Sequence, residues 1–326
     1  MFPALAPAHY TEAKMAYIVQ RLLYGLVVIF FALTLAFLLA YVIGDPVLMY
    51  VGADAPAEVV AEYRRQLGFD RPVYVQYLEF MGGVLQGDLG QSYRQRAPVM
   101  PILLERLGYS AELAIPAIIL AVVVSVPVGV LSAVRRNSLA DYLARTGALV
   151  GQAAPSFWIG LMAIFFFASH LGWLPSSGRA PPGSDLLTRL SHMVMPVVIL
   201  ALMPLAYLTR IMRSSVLEVI SEDYIRTARA KGLSERRVVI VHAVRNALIP
   251  YVTLLALQFG WILAGSMVIE SVFAWPGMGR LLMDSIRLLD IPVIAAGLSM
   301  VAVIFVLLNL LADILYTVLD PRVSNK

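Results

Sequence analysis

The most basic stretch of this sequence runs from Glu222 to Pro250, with long apolar runs on either side. Its cationic residues are Arg226, Arg229, Lys231, Arg236, Arg237 and Arg245. Clustered cations attract acidic or phosphate-bearing partners, whereas they supply no nucleophile for covalent chemistry. The chemistry that this segment offers is therefore electrostatic docking.

The same stretch predicts two short helices joined by a tight turn. Ser221 is a candidate N-cap for the first helix, and Lys231 suits its last turn. Gly232 stands where a left-handed residue ends a helix, and Ser234 can then cap the second helix. Pro250 marks the point where the second helix stops or bends.

Three interpretations of this basic segment are open. A DNA-binding helix-turn-helix also combines basic residues with a glycine turn, but the apolar flanks leave no room for a soluble three-helix domain. A second interpretation is a cytoplasmic loop that only enforces membrane topology. We favour the third, a docking element for a cytoplasmic protein.

The composition is that of a polytopic membrane protein. Of the 326 residues 60% are hydrophobic and 14% are charged, and the mean hydropathy is +0.79. Soluble domains carry about a quarter charged residues. The absence of cysteine excludes disulfides, thiol catalysis and Cys-ligated metal, and the four histidines form no metal motif. The net charge of +4 requires no nucleic acid, because basic cytoplasmic loops account for it.

The sequence also lacks the motifs of the common ATP-dependent and hydrolytic enzymes. It contains no G-x-x-x-x-G-K-[ST], so the chain has no standard loop for ATP phosphates. It contains neither H-E-x-x-H nor G-x-S-x-G. If the function of this protein requires ATP hydrolysis, we expect the ATPase to be a separate polypeptide.

The apolar runs predict an all-α polytopic membrane protein with six transmembrane helices, since each run is about long enough to cross a bilayer. The predicted spans are residues 22–43, 107–134, 147–169, 193–209, 247–269 and 291–312. The first run is longer than the apolar region of a signal peptide, so we interpret it as an uncleaved span.

The remaining segments are predicted loops and termini. Residues 44–106 form an external segment with helices over 56–67 and 72–85, the first ended by Gly68 and the second capped by Asp70. The other loops are 135–146 and the coupling loop 210–246 on the cytoplasmic side, and 170–192 and 270–290 outside. The termini are residues 1–21 and 313–326.

The distribution of Lys and Arg predicts the orientation. Excluding the long 44–106 interval, the side that holds both termini and the 210–246 loop carries fifteen Lys and Arg, against four on the other side. Cytoplasmic loops carry the excess of positive charge. We therefore expect both termini in the cytoplasm.

Several motifs together resemble one family. The segment Asp223–Gly232 resembles the cytoplasmic loop of ABC importer permeases, in which Glu-Ala-Ala, three residues and Gly recur; here Arg226, Thr227 and Ala228 occupy the first three places. The runs LGFDRPVYVQYLEFMGGVLQGDLGQSY and WILAGSMVIESVFAWPGMGRLL and the tail DPRV resemble the peptide branch. The chain is identified as similar to permease subunits of the dipeptide, oligopeptide and nickel importers.

This resemblance implies the function and the partners. It implies a transport path for peptides or a related small solute across the bacterial inner membrane. The implied partners are a second similar permease subunit, two ABC ATPase subunits, an external substrate-binding protein and surrounding membrane lipid. No nucleic acid is implied, and ATP with its magnesium would bind the ATPase subunits, leaving no cofactor on this chain. The implied ATPase contact is Arg226, Thr227, Ala228, Arg229, Ala230, Lys231, Gly232 and Leu233.

Polar residues in and after the fifth span are candidates for the transport path. They are Gln258, Trp261, Ser266 and Glu270. Polar groups at membrane depth indicate function by default, although Glu270 also suits a structural cap or pair at the external interface.

Two other functions are alternatives. A secondary transporter driven by an ion gradient would favour carboxylates at membrane depth, and the spans have almost no central charge. An intramembrane hydrolase would need a nucleophile and a base, and Ser156, Ser266 and Ser299 lack a base at the same depth.

Overall fold

The computed structural model of the chain describes residues 7–42, 55–66 and 68–319, together with Val47 and Val51. Side chains within residues 7–18, 40–42 and 312–319, and at positions 256, 261, 263 and 264, are outside this description. The predicted tail motif Asp320–Val323 also lies outside the described residues. So do parts of the predicted N-terminus and external segment.

Across the described residues the fold is helical, with an isolated β-bridge between Gln91 and Pro98 in place of any strand. The helices are α1 Pro7–Val42, α2 Ala57–Gln66, α3 Val73–Gln86, α4 Val99–Val134, α5 Leu139–Ala153, α6 Ser156–Ala163, α7 Leu186–Ile220, α8 Asp223–Ala230, α9 Glu235–Arg237, α10 Arg245–Val272, α11 Met278–Arg287 and α12 Ile291–Leu319. Two π-helical segments, Ile164–His170 and Val238–Val244, continue α6 and α9.

Length and apolar composition mark these helices as membrane spans. Within the described residues, five helical stretches are long and apolar enough to cross a bilayer: Val19–Leu39 in α1, Val99–Val134, Leu186–Ile220, Glu235–Gly260 from α9 into α10, and Ile291–Leu311 in α12. A sixth candidate is a bent pair, α5 with α6 and its π-helical extension, which turns by 101°. The bend falls at Pro155, where an extended backbone and a missing N–H interrupt the helical hydrogen bonds.

The chain forms two compact units. The first is built mainly from Glu112–Trp275, and its core lies where α4, α7 and α10 pack together. Its buried residues are Ala121, Ala133, Leu208, Met212, Val216, Ala247 and Tyr251. Gly129 lets α4 approach α7 closely, because a Cβ there would lie 2.7 Å from the Cβ of Met212. Within this core the hydroxyls of Ser125 and Tyr251 share a 2.7 Å hydrogen bond.

The second unit comprises Leu23–Ala111 and Pro276–Val306. Aromatic rings join two of its helices, with Phe37 of α1 against Tyr77 and Phe80 of α3 at centroid distances of 5.4 and 5.6 Å. Tyr77 also shares a 2.7 Å hydrogen bond with Thr34. These rings are packing residues, whereas Tyr74 is exposed.

Three local predictions about helix ends meet different outcomes. Gly68 follows α2 in a left-handed conformation, with φ of +76°, as predicted. Asp70 as a cap was wrong, because Pro72 occupies the N-cap of α3. Pro250 does not end or break its helix, because it lies inside the continuous α10. The helix α11 was not predicted, although its ten residues have a strongly amphipathic pattern with Met278, Leu281 and Leu282 on the buried side.

Candidate functional site

The short helix α8 is the centre of the basic loop, and Glu222 occupies its N-cap position with extended backbone. Ser221, the predicted cap, instead ends the preceding helix α7, and its hydroxyl donates a 2.7 Å hydrogen bond to the carbonyl of Glu218. The prediction was wrong because a serine that follows a long helix can bond back to that helix. Asp223 in the first turn still suits the positive end of α8.

Two nested backbone hydrogen bonds close the C-terminus of α8. The N–H of Gly232 donates to the carbonyl of Arg229 at 2.9 Å, and the N–H of Leu233 donates to the carbonyl of Ala228 at 3.4 Å. This pair of bonds defines a Schellman motif, which requires a left-handed residue. Gly232 supplies it with φ of +78°. The tight turn predicted at Gly232 is therefore present.

One face of α8 packs against the chain itself. Ile225 is fully buried and Ala228 nearly so, and both join Val238 and Ala243 in a small apolar cluster. Leu233 packs on the same cluster and completes the hydrophobic contact that accompanies a Schellman motif. Ala228 and Leu233, both included in the predicted ATPase contact, thus face inward and hold the helix in place.

The opposite face of α8 is exposed and basic. It carries Arg226, Thr227, Arg229, Ala230 and Lys231. Arg226 reaches Asp223 at 3.2 Å, but both side chains are almost fully exposed, so that contact is weak. Lys231 forms no ion pair within the part of the chain that the structure describes. This face offers the cations that an acidic partner surface would meet.

Arg229 is paired within the chain. Its Nε and an Nη donate hydrogen bonds to the two carboxylate oxygens of Glu235 at 3.1 and 2.7 Å, which ties α8 to α9 across the turn. Hydrogen bonding to this carboxylate raises the pKa of Arg229 above its ordinary value. Ser234 precedes Glu235 at the N-cap of α9, as predicted, although its side chain makes no capping hydrogen bond.

A further contact joins α8 to the beginning of α10. The amide nitrogen of Asn246 donates to the hydroxyl of Tyr224 at 2.8 Å and to the carbonyl of His242 at 3.0 Å. The helix α8 is thus held by an apolar cluster, an ion pair and this amide. Because these contacts are direct, a displacement of α8 would be transmitted to the beginning of α10.

A buried ion pair lies in the same unit and was missed at the level of sequence. Asp141 on α5 accepts hydrogen bonds from Nε and an Nη of Arg213 on α7, at 2.7 and 3.0 Å. The hydroxyl of Ser132 at 2.6 Å and the backbone N–H of Asn137 at 3.0 Å also donate to this carboxylate. A local signal existed in the Ser138-x-x-Asp141 spacing of a capped helix start. The partner 72 residues away had no such signal.

The candidate path residues lie along α10. Gln258 and Ser266 are buried to 4% exposure and Glu270 is fully buried, so these side chains face the interior of this chain. The side chain of Trp261 lies outside the described residues. Glu270 stands in the last turn of α10, and its carbonyl accepts a 2.8 Å hydrogen bond from the N–H of Trp275. All three described residues are therefore buried within the chain.

Comparison with protein families matches most of the chain. Residues 125–325 match the family described as "Binding-protein-dependent transport system inner membrane component". Residues 14–114 match the model of the N-terminal part of such membrane components. The first match alone covers more than half of the chain, including the whole basic loop and α10.

Curated relatives agree with this family. The dipeptide transport system permease protein DppB of Escherichia coli strain K12 is 42% identical over 307 residues, covering 87% of this chain and 91% of the relative. The glutathione transport system permease protein GsiC of the same strain is 39% identical over 311 residues, covering 95% and 99%.

A solved structure shares the fold. It is a chain from inward-facing conformations of the MetNI methionine ABC transporter, with a TM-score of 0.53, 18% identity, and coverage of 68% of this chain and 97% of that chain. At this identity the likeness concerns the fold alone. The long matches of sequence carry the assignment: the chain belongs to the binding-protein-dependent transport family, as an ABC importer permease subunit of the peptide family.

Proposed function

We propose that this chain and a second, similar permease subunit enclose an import path for small peptides, driven by two ATPase subunits and fed by an external binding protein. As a member of its family the chain is a multi-pass transport subunit and not an enzyme, and ATP hydrolysis belongs to separate subunits. ABC importer permeases work with ATPase and binding-protein partners in general. The number of each partner and the peptide substrate are parts of the proposal.

The peptide substrate is supported by the two relatives. One is named for dipeptides and the other for glutathione, which is itself a tripeptide. Both cover almost the whole chain, so the similarity is not confined to the shared transport fold. The proposed orientation, with both termini in the cytoplasm, follows from the excess of Lys and Arg on that side.

The exposed face of α8 is the observation that carries the proposed ATPase contact. In the proposal Arg226, Thr227, Ala230 and Lys231 touch the ATPase, and Gly232 makes the turn that presents them. Ala228 and Leu233 support the contact from the inner face, and Arg229 supports it through Glu235. Closure of the ATPase subunits would move α8 as a unit and thereby move α10.

The gate assigned to Gln258, Trp261, Ser266 and Glu270 stays a prediction. Because the three described side chains are buried in this chain, a role in lining the path requires α10 to move during transport. Buried polar groups of this kind are consistent with a helix that has two packed positions, since they can exchange hydrogen-bond partners between them.

Co-purification tests the ATPase contact. We would co-express the chain with its ATPase subunits and compare the wild type with an Arg226→Glu, Lys231→Glu variant. Neither residue supports the fold of the loop, so the reversal of charge should abolish ATPase recovery while the chain stays folded in the membrane. Arg135→Glu with Arg136→Glu is the matched control, because both arginines are exposed on the other basic loop.

Equal ATPase recovery with the α8 variant and with the control would contradict the contact at α8. Failure of the wild type to recover any ATPase would contradict the whole proposed complex. Uptake of labelled dipeptide by the reconstituted complex tests the substrate separately, because a complex that assembles and imports only other solutes would contradict peptide import alone.

A further inference from the structure

A cavity of about 340 Å³ lies in the first unit between α5 and α7, and no residue of α8 lines it. Its polar lining comprises Ser132, Arg145, Gln152, Thr209, Arg210 and Arg213, and the rest is Ala144, Ala148 and Leu149. Three of these polar groups are already engaged. Ser132 and Arg213 bind Asp141, and the hydroxyl of Thr209 donates to the carbonyl of Leu205.

Arg145 and Arg210 are the two cations that the fold leaves available. Neither forms an ion pair in the described part of the chain. Each guanidinium instead lies over the ring of a tyrosine three residues earlier, Arg145 at 5.1 Å from Tyr142 and Arg210 at 5.5 Å from Tyr207. Stacking on a ring holds a guanidinium in place while its N–H groups stay free to donate.

The surface beside this cavity is apolar. Leu143, Leu149 and Val150 of α5 are exposed, although they precede the bend at Pro155 and lie near the predicted basic side. Exposed aliphatic side chains of this size are stable against lipid and costly against water. The cavity therefore combines two unpaired cations with a wall that suits hydrocarbon.

We propose that this cavity binds the headgroup of an anionic phospholipid, with its phosphate between Arg145 and Arg210 and an acyl chain along Leu149. The amide of Gln152 adds a neutral donor to the same lining. Anionic lipid of the cytoplasmic leaflet attracts basic residues near the surface, and basic pockets between membrane helices bind such headgroups. The site does not depend on the proposed transport substrate.

An acidic patch of an ATPase subunit is the other partner that two arginines could meet. The exposed Leu143, Leu149 and Val150 favour lipid, because a soluble protein that ended at the arginines would leave these side chains in water. The stacked guanidiniums also flank a cavity rather than a raised surface, which suits a headgroup more than a flat protein face.

Native mass spectrometry of the purified full-length chain tests the proposal. The chain, stripped of lipid in mild detergent, is titrated with phosphatidylglycerol and, separately, with phosphatidylcholine. We expect the wild type to retain phosphatidylglycerol. The apparent affinity for this lipid should be at least about tenfold weaker in an Arg145→Gln, Arg210→Gln variant, since each arginine near a headgroup contributes about fivefold to the affinity. Arg135→Gln with Arg136→Gln is the control with the same change of charge and should bind like the wild type.

Several results would overturn the lipid site. These are equal affinity for phosphatidylglycerol in the cavity variant and the wild type, equal loss in both variants, or displacement of the lipid by soluble glycerol phosphate. Loss of ATPase co-purification in the cavity variant with lipid retained would assign the arginines to the ATPase instead.

A photoreactive phosphatidylglycerol on the wild type gives a readout that needs no variant to fold. Crosslinks should map to α5 and to residues 205–213 of α7. Crosslinks found only elsewhere would also overturn the proposal.

Discussion

Two ion pairs in the first unit have the same chemistry and different surroundings. In each, one arginine donates two hydrogen bonds to one carboxylate, Arg213 to Asp141 and Arg229 to Glu235. The first joins residues 72 apart and leaves Asp141 1% and Arg213 19% exposed. The second joins residues six apart and leaves Arg229 39% and Glu235 56% exposed.

Hydrogen-bond geometry alone therefore does not determine how much an ion pair stabilises the fold. A buried carboxylate that loses its partner stays desolvated, so breaking the pair is expensive. An exposed carboxylate that loses its partner is solvated again at once, so breaking that pair costs little. We infer that the Asp141 pair fixes α5 against α7, whereas the Glu235 pair only adjusts the turn after α8.

The largest effect is expected from breaking the buried pair on one side. Arg213→Leu should lower the free energy of unfolding by about 3–5 kcal/mol, because Asp141 is left in a buried place with only Ser132 and Asn137 as donors. The measurement is unfolding of the detergent-solubilised chain by titration with sodium dodecyl sulfate. The double change Asp141→Leu, Arg213→Leu is the control and should recover much of the loss. A single change as mild as the double change would contradict the role of burial.

An intermediate effect is expected from the buried face of α8. A substitution there tests whether apolar packing or polar contacts hold this helix. Ile225→Ala removes a fully buried side chain and should cost about 2–5 kcal/mol of local stability. Hydrogen exchange of the α8 amides measures the loss. Tyr224→Phe, which removes only the hydroxyl bonded to Asn246, is the milder control. Unchanged exchange in Ile225→Ala would mean that polar contacts hold α8.

The smallest effect is expected from the exposed pair. A double-mutant cycle with Arg229→Gln and Glu235→Gln should give a coupling free energy of about 0.2–1 kcal/mol, and added salt should reduce it. The same titration with sodium dodecyl sulfate measures it. A coupling free energy as large as that between Asp141 and Arg213 would show that exposure does not weaken this pair.

Local sequence rules predicted the long helices and one turn. Each of the six predicted spans falls on helical residues, but the third is divided at Pro155 between α5 and α6. Gly232 was predicted correctly, since only glycine adopts its conformation without strain. The bend of 101° falls at Pro155, a proline inside the third predicted span.

Other features depend on partners that are distant in sequence. Whether Ser221 ends one helix or begins the next was decided by α7, which continued as far as Ile220. The inward face of Ala228 depends on Val238 and Ala243 folding back against it. The pairing of Asp141 with Arg213 needs α5 and α7 side by side, which no spacing rule specifies.

The π-helical segment Val238–Val244 has a consequence for changes in chain length. A π-turn wraps one residue more than an α-turn, so this segment acts as an insertion absorbed between two regular helices. Deleting one residue there would let the segment return to regular α-helical hydrogen bonding. The same deletion inside α10 would rotate every later side chain of that helix by about 100°. We therefore expect the loss of one residue to be better tolerated in this segment than inside α10.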